Sequence, residues 1–166
     1  LKHKKFSAPL QQTKEIHHQR NKFEEKELKE FSILFLVMHN LDIFRKNIEL
    51  ISDLTFSNSL MNEFKEKLIN YLMSEKFFDR KKLEIKDFDQ KFKNIINLIN
   101  DNASVKIIYK NKNDTEIVLM FNEIMDQINK IKLTKKIESL EDKVSLNLDE
   151  NLYTELLSLR NQLKRG

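Results

Sequence analysis

Apolar positions recur at helical spacing along most of the chain. Residues 1–20 are the exception: they hold the only Pro, several Gln and His, and little periodicity, and read as a linker. From Phe23 a stripe forms, with Leu28, Phe31, Phe35 and Met38 stepping by 3, 4 and 3. Ile33, Leu34, Leu36 and Val37 fill the other sides of the same helix. A helix apolar all round has to be buried, so this one is expected at the centre of the fold. Asn40 is placed to cap a short second helix through Ile43, Phe44, Ile48 and Ile51. The run Asp53 to Ser59 reads as a turn into a third helix carrying Leu60, Phe64, Leu68, Tyr71 and Leu72. Asp79 is a candidate cap for a short fourth helix with Leu83 and Ile85. A fifth holds Phe88, Phe92, Ile95, Ile96 and Ile99, with Asp87 and Asp89 at its start. Residues 100–113 are polar at both ends around Val105, Ile107, Ile108 and Tyr109. They read as a short helix or an irregular apolar lead-in; their β-branched residues leave a strand open, although no partner strand is evident.

The last third is the most informative. Asn113 with Glu116, and Asn147 with Glu150, have the spacing of capping boxes. The intervening stretch of about 30 residues has no Gly or Pro, and as one helix it is roughly 45 Å long. Its apolar positions Ile117, Phe121, Ile124, Ile128 and Ile131 step by 4, 3, 4 and 3, and then the phase slips. Leu133, Ile137, Leu140 and Val144 form a second stripe. Two residues of offset turn it by about 200°, so the halves face nearly opposite ways. One helix serving two separate cores explains this. After a turn near Ser145–Asn147, Leu152, Leu156, Leu159 and Leu163 repeat the second phase. Two such arms joined by a short loop make a helical hairpin. Leu148, Tyr153 and Leu157 lie off the Leu152 stripe and are expected to stay partly exposed. An apolar strip on a protruding hairpin fits a protein-binding surface; the plainer reading is the scattered leucine exposure that most proteins show.

The pattern therefore gives an all-α fold: a multi-helix bundle, a long connecting helix and a C-terminal helical hairpin. Its divisions are a basic tail over 1–21, a bundle over 22–112, and the long helix with its hairpin over 113–166.

Composition narrows the function more by exclusion. The chain has 166 residues, 40% of them apolar, with one Gly, one Pro, no Cys and no Trp. That apolar share can build a core. So few Gly and Pro nearly exclude a sandwich, a barrel or a doubly wound sheet, which need many turns built on them. The absence of Cys excludes disulfide scaffolds, thiolate metal sites and cysteine catalysis. Asn, Lys and Ile are abundant while Ala occurs only at Ala8 and Ala103, a usage that an AT-rich genome produces, so Lys richness is discounted as a functional signal. Residues 1–26 carry seven Lys/Arg and three Glu, while 27–166 carry 23 basic and 23 acidic residues, so the whole excess of +4 lies in the tail. A neutral body lacks the usual nucleic-acid footprint. The tail could touch nucleic acid or a membrane surface, or serve only as a solvated linker.

The longest apolar run, Ile33 to Met38, is far short of a membrane span. No apolar signal region follows the basic start, and a cytoplasmic place fits. A chain opening on Leu1 reads as a piece of a longer protein. The only Gly is Gly166, so no phosphate-cradling glycine loop exists, and there is no HExxH. His17 and His18 are adjacent and point to different sides of any helix. His39 sits at a helix end, where a cation is favoured beside the last carbonyls. No enzyme, cofactor or metal is expected in this segment.

The order of segments resembles the C-terminal domain of bacterial DnaG-type primases, from about Phe23 to Gly166. Three places carry the resemblance. The buried opening helix closes in Val37-Met38-His39-Asn40. The stretch Glu49-Leu50-Ile51-Ser52-Asp53-Leu54-Thr55-Phe56-Ser57 precedes an amphipathic helix. The chain ends on Asp149 to Lys164, similar to the family's closing helix. The chain differs from the family's usual Ala- and Arg-rich composition.

The resemblance implies a docking role. In the family the terminal hairpin grips the N-terminal domains of the hexameric DnaB-type replicative helicase, and the bundle modulates that helicase. The zinc-binding and primer-synthesising polymerase domains of such a protein lie upstream. Tethering raises the local concentration of primase at newly unwound strands. The helicase contacts implied on the last helix are Tyr153, Leu157, Arg160, Asn161, Lys164 and Arg165, with Leu152, Leu156, Leu159 and Leu163 holding the hairpin together. Interface anchors are usually aromatic or Arg, which favours Tyr153 and Arg160. Two other readings stand beside this one: a helical nucleic-acid accessory domain acting through the basic tail, and the N-terminal domain of a replicative helicase, which also joins a helical bundle to a hairpin.

Overall fold

Eight consecutive residues, Phe31 to Met38, are buried in the computed structural model, which describes residues 23–75, 83–147 and 149–165. They lie on helix α1 (Glu25–His39). A helix with no wet face has to be covered on every side, and at about 1.5–3 kcal/mol for each large apolar side chain removed from water this burial dominates the unit around it. The described residues are all-α, with no strand among them. They divide into two compact units between Ile107 and Ile108.

The first unit is a helical bundle built round α1. It contains α2 (Leu41–Lys46), α3 (Glu49–Ser52), α4 (Ser59–Met73) and α5 (Gln90–Asn102), with 3₁₀ turns at Ile85–Asp87 and Ser104–Ile107. Helix α5, the Ser104–Ile107 turn and α2 pack on α1, while α2, α3 and α5 pack on α4. Phe64 of α4 stands at the middle of an aromatic group, its ring 5.4 Å from Phe88 and 5.7 Å from Phe92.

Buried polar groups fix the loop between α3 and α4. The Glu30 carboxylate, almost fully buried on α1, accepts from the Ser57 N–H and hydroxyl at 3.0–3.2 Å, and Lys26 lies 3.6 Å away. Asn62 pairs with the Phe56 backbone in both senses, accepting from its N–H at 2.8 Å and donating to its carbonyl at 2.9 Å. Buried Lys65 donates to the Ser52 and Leu54 carbonyls at 3.2 and 2.9 Å. Each group satisfies backbone that the loop could not otherwise satisfy away from water.

The second unit contains a 3₁₀ turn at Tyr109–Asn111, the long helix α6 (Asp114–Leu146, 33 residues) and α7 (Glu150–Arg165). The expected capping box opens α6: Glu116 N–H donates to Asn113 Oδ1, and Asn113 N–H donates to the Glu116 carboxylate, both at 3.0 Å. On α6 the first stripe, Ile117, Phe121, Ile124 and Ile128 together with Met120, is buried, and Ile131 is half-buried.

Several expected local features resolve differently. Asn40 does not cap α2; its side chain donates back to the Leu36 carbonyl at 2.8 Å and closes α1. The second helix breaks in two at Asn47, whose side chain takes the Ile43 carbonyl at 2.7 Å. His39 sits in the last turn of α1 as expected, but its Nε2 donates to Asn100 Oδ1 on α5 at 3.0 Å, and its ring lies tilted 4.2 Å from that of Phe35. The C-terminal cation appears instead on α4, where Arg45 Nε donates to the Leu72 carbonyl at 3.0 Å. Where a fourth helix is expected, Leu83 is unwound and Ile85–Asp87 form one 3₁₀ turn; Asp79 lies outside the described residues. Helix α5 begins at Gln90, after Phe88, and Asp87 accepts from the Tyr71 hydroxyl at 3.3 Å. The 100–113 stretch holds two 3₁₀ turns and no strand.

Replacing Glu30→Ala strips Ser57 of its buried partner and should cost about 1–3 kcal/mol in a urea unfolding midpoint analysis. The Lys112 ammonium, aided by the Asn113 N–H, holds the Glu116 carboxyl below its ordinary value of 4.5. Its contribution to the α6 start is therefore present above 4.5 and lost as pH falls through the lowered value. An NMR titration should place the Glu116 midpoint below 4.5, and Lys112→Met should move it up.

Candidate docking surface

The second-phase stripe of α6 and the leucines of α7 form the seam of an antiparallel hairpin. Ile137, Leu140 and Leu156 are buried at its centre, and Leu133, Val144, Leu152, Leu159 and Leu163 pack against them. This matches the register in the sequence, where both arms step by 4, 3 and 4. The turn is short and fixed at both ends. Asn147 N–H donates to the Lys143 carbonyl at 3.0 Å and ends α6. Asp149 Oδ1 accepts from the N–H groups of Asn151 and Leu152 at 2.8 and 3.3 Å and starts α7. The expected Asn147–Glu150 box is thus replaced by an Asp149 cap, whose carboxylate also suits the positive end of a helix.

Two ion pairs cross the seam. Lys136 Nζ reaches Glu155 at 2.8 Å. Arg160 takes Glu141 Oε1 through Nη2 at 2.6 Å and Nε at 3.2 Å. At about 100° per residue the two pairs fall on opposite flanks. Both are exposed, so each adds about 0.2–1 kcal/mol and chiefly sets the register.

The residues expected at the helicase contact fall in several places. Tyr153, Leu157, Arg160 and Lys164 step by 4, 3 and 4 along α7, one strip about 100° round from the seam. Tyr153 is 51% exposed and Leu157 42% exposed, although the seam has taken the other leucines of the helix. Arg160 stands in the strip with its guanidinium engaged on Glu141. Lys164 is exposed; Asn161, also exposed, is further round. The Arg165 side chain and Leu148 lie outside the described residues. Leu146, at the last turn of α6, is 88% exposed and was not singled out by its spacing. It falls two residues past Val144, off the seam stripe, which is the only signal the sequence offers for it. At the open end of the hairpin a groove of about 480 Å³ runs between the two helices, floored by Leu133 and Leu163 and rimmed by Asp126, Gln127, Asn129 and Gln162.

Comparison of the chain with family models, with curated proteins and with solved structures gives no match. Among the described residues no helix is long and apolar enough to cross a membrane. The arrangement at the hairpin offers an amphipathic helix face. Such a face recognises another surface by burial of a few anchors inside a polar rim.

The seam and the strip should separate in mutagenesis. Leu156→Ala opens a cavity in the seam and should cost about 2–5 kcal/mol. Tyr153→Ala, on the solvent side, should stay within about 0.5 kcal/mol. Circular dichroism during urea unfolding of each variant checks both.

Proposed function

We propose that this chain docks a primer-synthesising enzyme onto the hexameric DnaB-type replicative helicase and modulates it, working at the replication fork in the cytoplasm. The observation that carries the reading is a helical hairpin that seals its own leucine seam while Tyr153 and Leu157 stay on the outer side of α7. The order of segments that resembles DnaG-type primases supports it from the sequence side: an apolar opening helix, a leucine-rich stretch and cap before an amphipathic helix, and a closing Leu-, Gln- and Lys-bearing helix. On this reading the all-α first unit is the modulating bundle and the α6–α7 hairpin is the grip. The primer chemistry belongs to the protein's other domains. The mechanism is recruitment, in which a modest contact made intramolecular by tethering keeps primase where single strands emerge.

Tyr153 is the anchor, because an amphipathic aromatic buries much area at little entropic cost. Leu157 extends it by one turn, and Arg160 with Lys164 forms the polar edge. Titration of the 166-residue chain into the organism's hexameric helicase by calorimetry tests this. Saturable heat is expected, and the double variant Tyr153→Ala, Leu157→Ala should weaken affinity by about tenfold or more, equivalent to at least ~1.4 kcal/mol. No heat from the intact chain at tens of micromolar would refute the reading.

A further inference from the structure

Helix α7 carries two stripes, and the hairpin uses one of them. Leu152, Leu156, Leu159 and Leu163 are taken up by the seam with α6. The second stripe, Glu150, Tyr153, Leu157, Arg160 and Lys164, steps by 3, 4, 3 and 4, and all five residues are exposed. At about 100° per residue, every member lies within about 60° of Leu157. Steps of 3 and 4 are the spacing with which two helices pack along their length at a shallow angle. The stripe therefore has the form of a second seam, and its apolar centre, Tyr153 at 51% and Leu157 at 42% exposure, is left open by the hairpin.

The stripe is complementary to itself. Its ends carry opposite charges, Glu150 at the tip and Lys164 at the open end, and each stands seven residues from Leu157. Seven residues are close to two turns, about 10 Å along the axis. Neither charge is held in an ion pair among the described residues, whereas Arg160 is tied to Glu141. We propose that two copies of this chain pair through this face, antiparallel, about a two-fold axis at Leu157. The axis sets Leu157 against Leu157 and brings Tyr153 of each copy level with Asn161 of the other. It also lays Glu150 of each copy beside Lys164 of the other, so the charge match is made twice. A parallel pair would set Glu150 on Glu150 and Lys164 on Lys164, and like charges so placed are unfavourable. A two-fold contact of this kind closes on itself and stops at two copies. One helix face of about four turns falls below the ~1,200 Å² of a stable interface, so the pair is a weak one that forms as concentration rises. Tyr153 and Leu157 are also the surface assigned above to the helicase, so a paired chain has that contact covered. The pairing itself rests on α7 alone and stands or falls apart from the helicase reading; where both hold, self-association regulates docking.

Sedimentation equilibrium of the full chain from about 10 µM to about 1 mM tests it, a range that reaches contacts of this size. A monomer–dimer equilibrium is expected. Glu150→Lys and Lys164→Glu each place like charges together twice, and each should raise the dissociation constant about fivefold or more. The double variant restores opposite charges and should return to within about twofold of the parent. Leu157→Cys gives a second readout, because the chain has no cysteine of its own. A residue on the axis meets its own copy, so mild oxidation should cross-link this variant rapidly. Asn151→Cys, about 120° round the helix, should cross-link slowly. Circular dichroism confirms that each variant keeps its helix content. A chain that stays monomeric up to about 1 mM would overturn the proposal. So would a dimer indifferent to the two charge reversals, or one in which Asn151→Cys cross-links as fast as Leu157→Cys. A monomeric chain that still gives saturable heat with the helicase would refute the pairing and leave the docking reading standing; a dimer that passes these tests and gives no such heat would do the reverse.

Discussion

Everything in the first unit answers to one constraint: from Glu30 to Met38, α1 has no face that can meet water. From Phe31 to Met38 every side chain is buried, including Ser32. A helix of that kind is covered by several short elements that approach from different directions, and α2, α5 and the Ser104–Ile107 turn do this. Where a polar atom is drawn into the covering layer it is paired. Ser32 Oγ meets Ser104 at 3.0 Å and accepts its N–H at 3.1 Å, and Glu30 takes Ser57. The short helices and the polar contacts of this unit follow from the geometry of covering a cylinder.

With so little glycine, the chain ends its helices another way. Among the described residues no backbone takes a positive φ, so the left-handed glycine terminus is not used. Asn40, Asn47 and Asn102 instead donate their side-chain amides to the carbonyls of Leu36, Ile43 and Leu98 at 2.7–2.9 Å. The Leu36 and Ile43 carbonyls lie in a last turn, where the helix offers no N–H of its own, and the Leu98 carbonyl lies just before one. The abundance of Asn, which codon bias can supply, is put to structural use here. It also explains why the sequence misleads at these points. An Asn amide has both a donor and an acceptor, so spacing alone does not say whether it closes the preceding helix or opens the next. Asn113 and Asn58 open helices, Asn40 and Asn47 close them, and Asn147 ends α6 through its backbone.

Long-range periodicity was far more readable than local punctuation. The buried opening helix, the α4 and α5 stripes and the two phases of α6 follow from steps of 3 and 4 summed over many residues, where one error does little harm. The hairpin register was legible for the same reason, because α6 and α7 repeat the same steps. Short elements hold few positions to sum, so spacing predicts one long second helix and a helix at Ile85, where the chain forms two short helices and a 3₁₀ turn. Of the candidate surface, Tyr153 and Leu157 could be read because they stand off a clear stripe. The groove could not, because spacing sets Leu133 opposite Leu163 but does not say what space is left between the helices.

The register of the hairpin also bears on how its two surfaces relate. Tyr153 lies near the tip, level with the last turns of α6, while the groove lies at the other end of the hairpin. Arg160 stands between them, in the strip with Tyr153 and yet tied to Glu141 across the seam. A contact built on Tyr153 and Leu157 and one built on Leu133 and Leu163 use different apolar residues and different ends of α7.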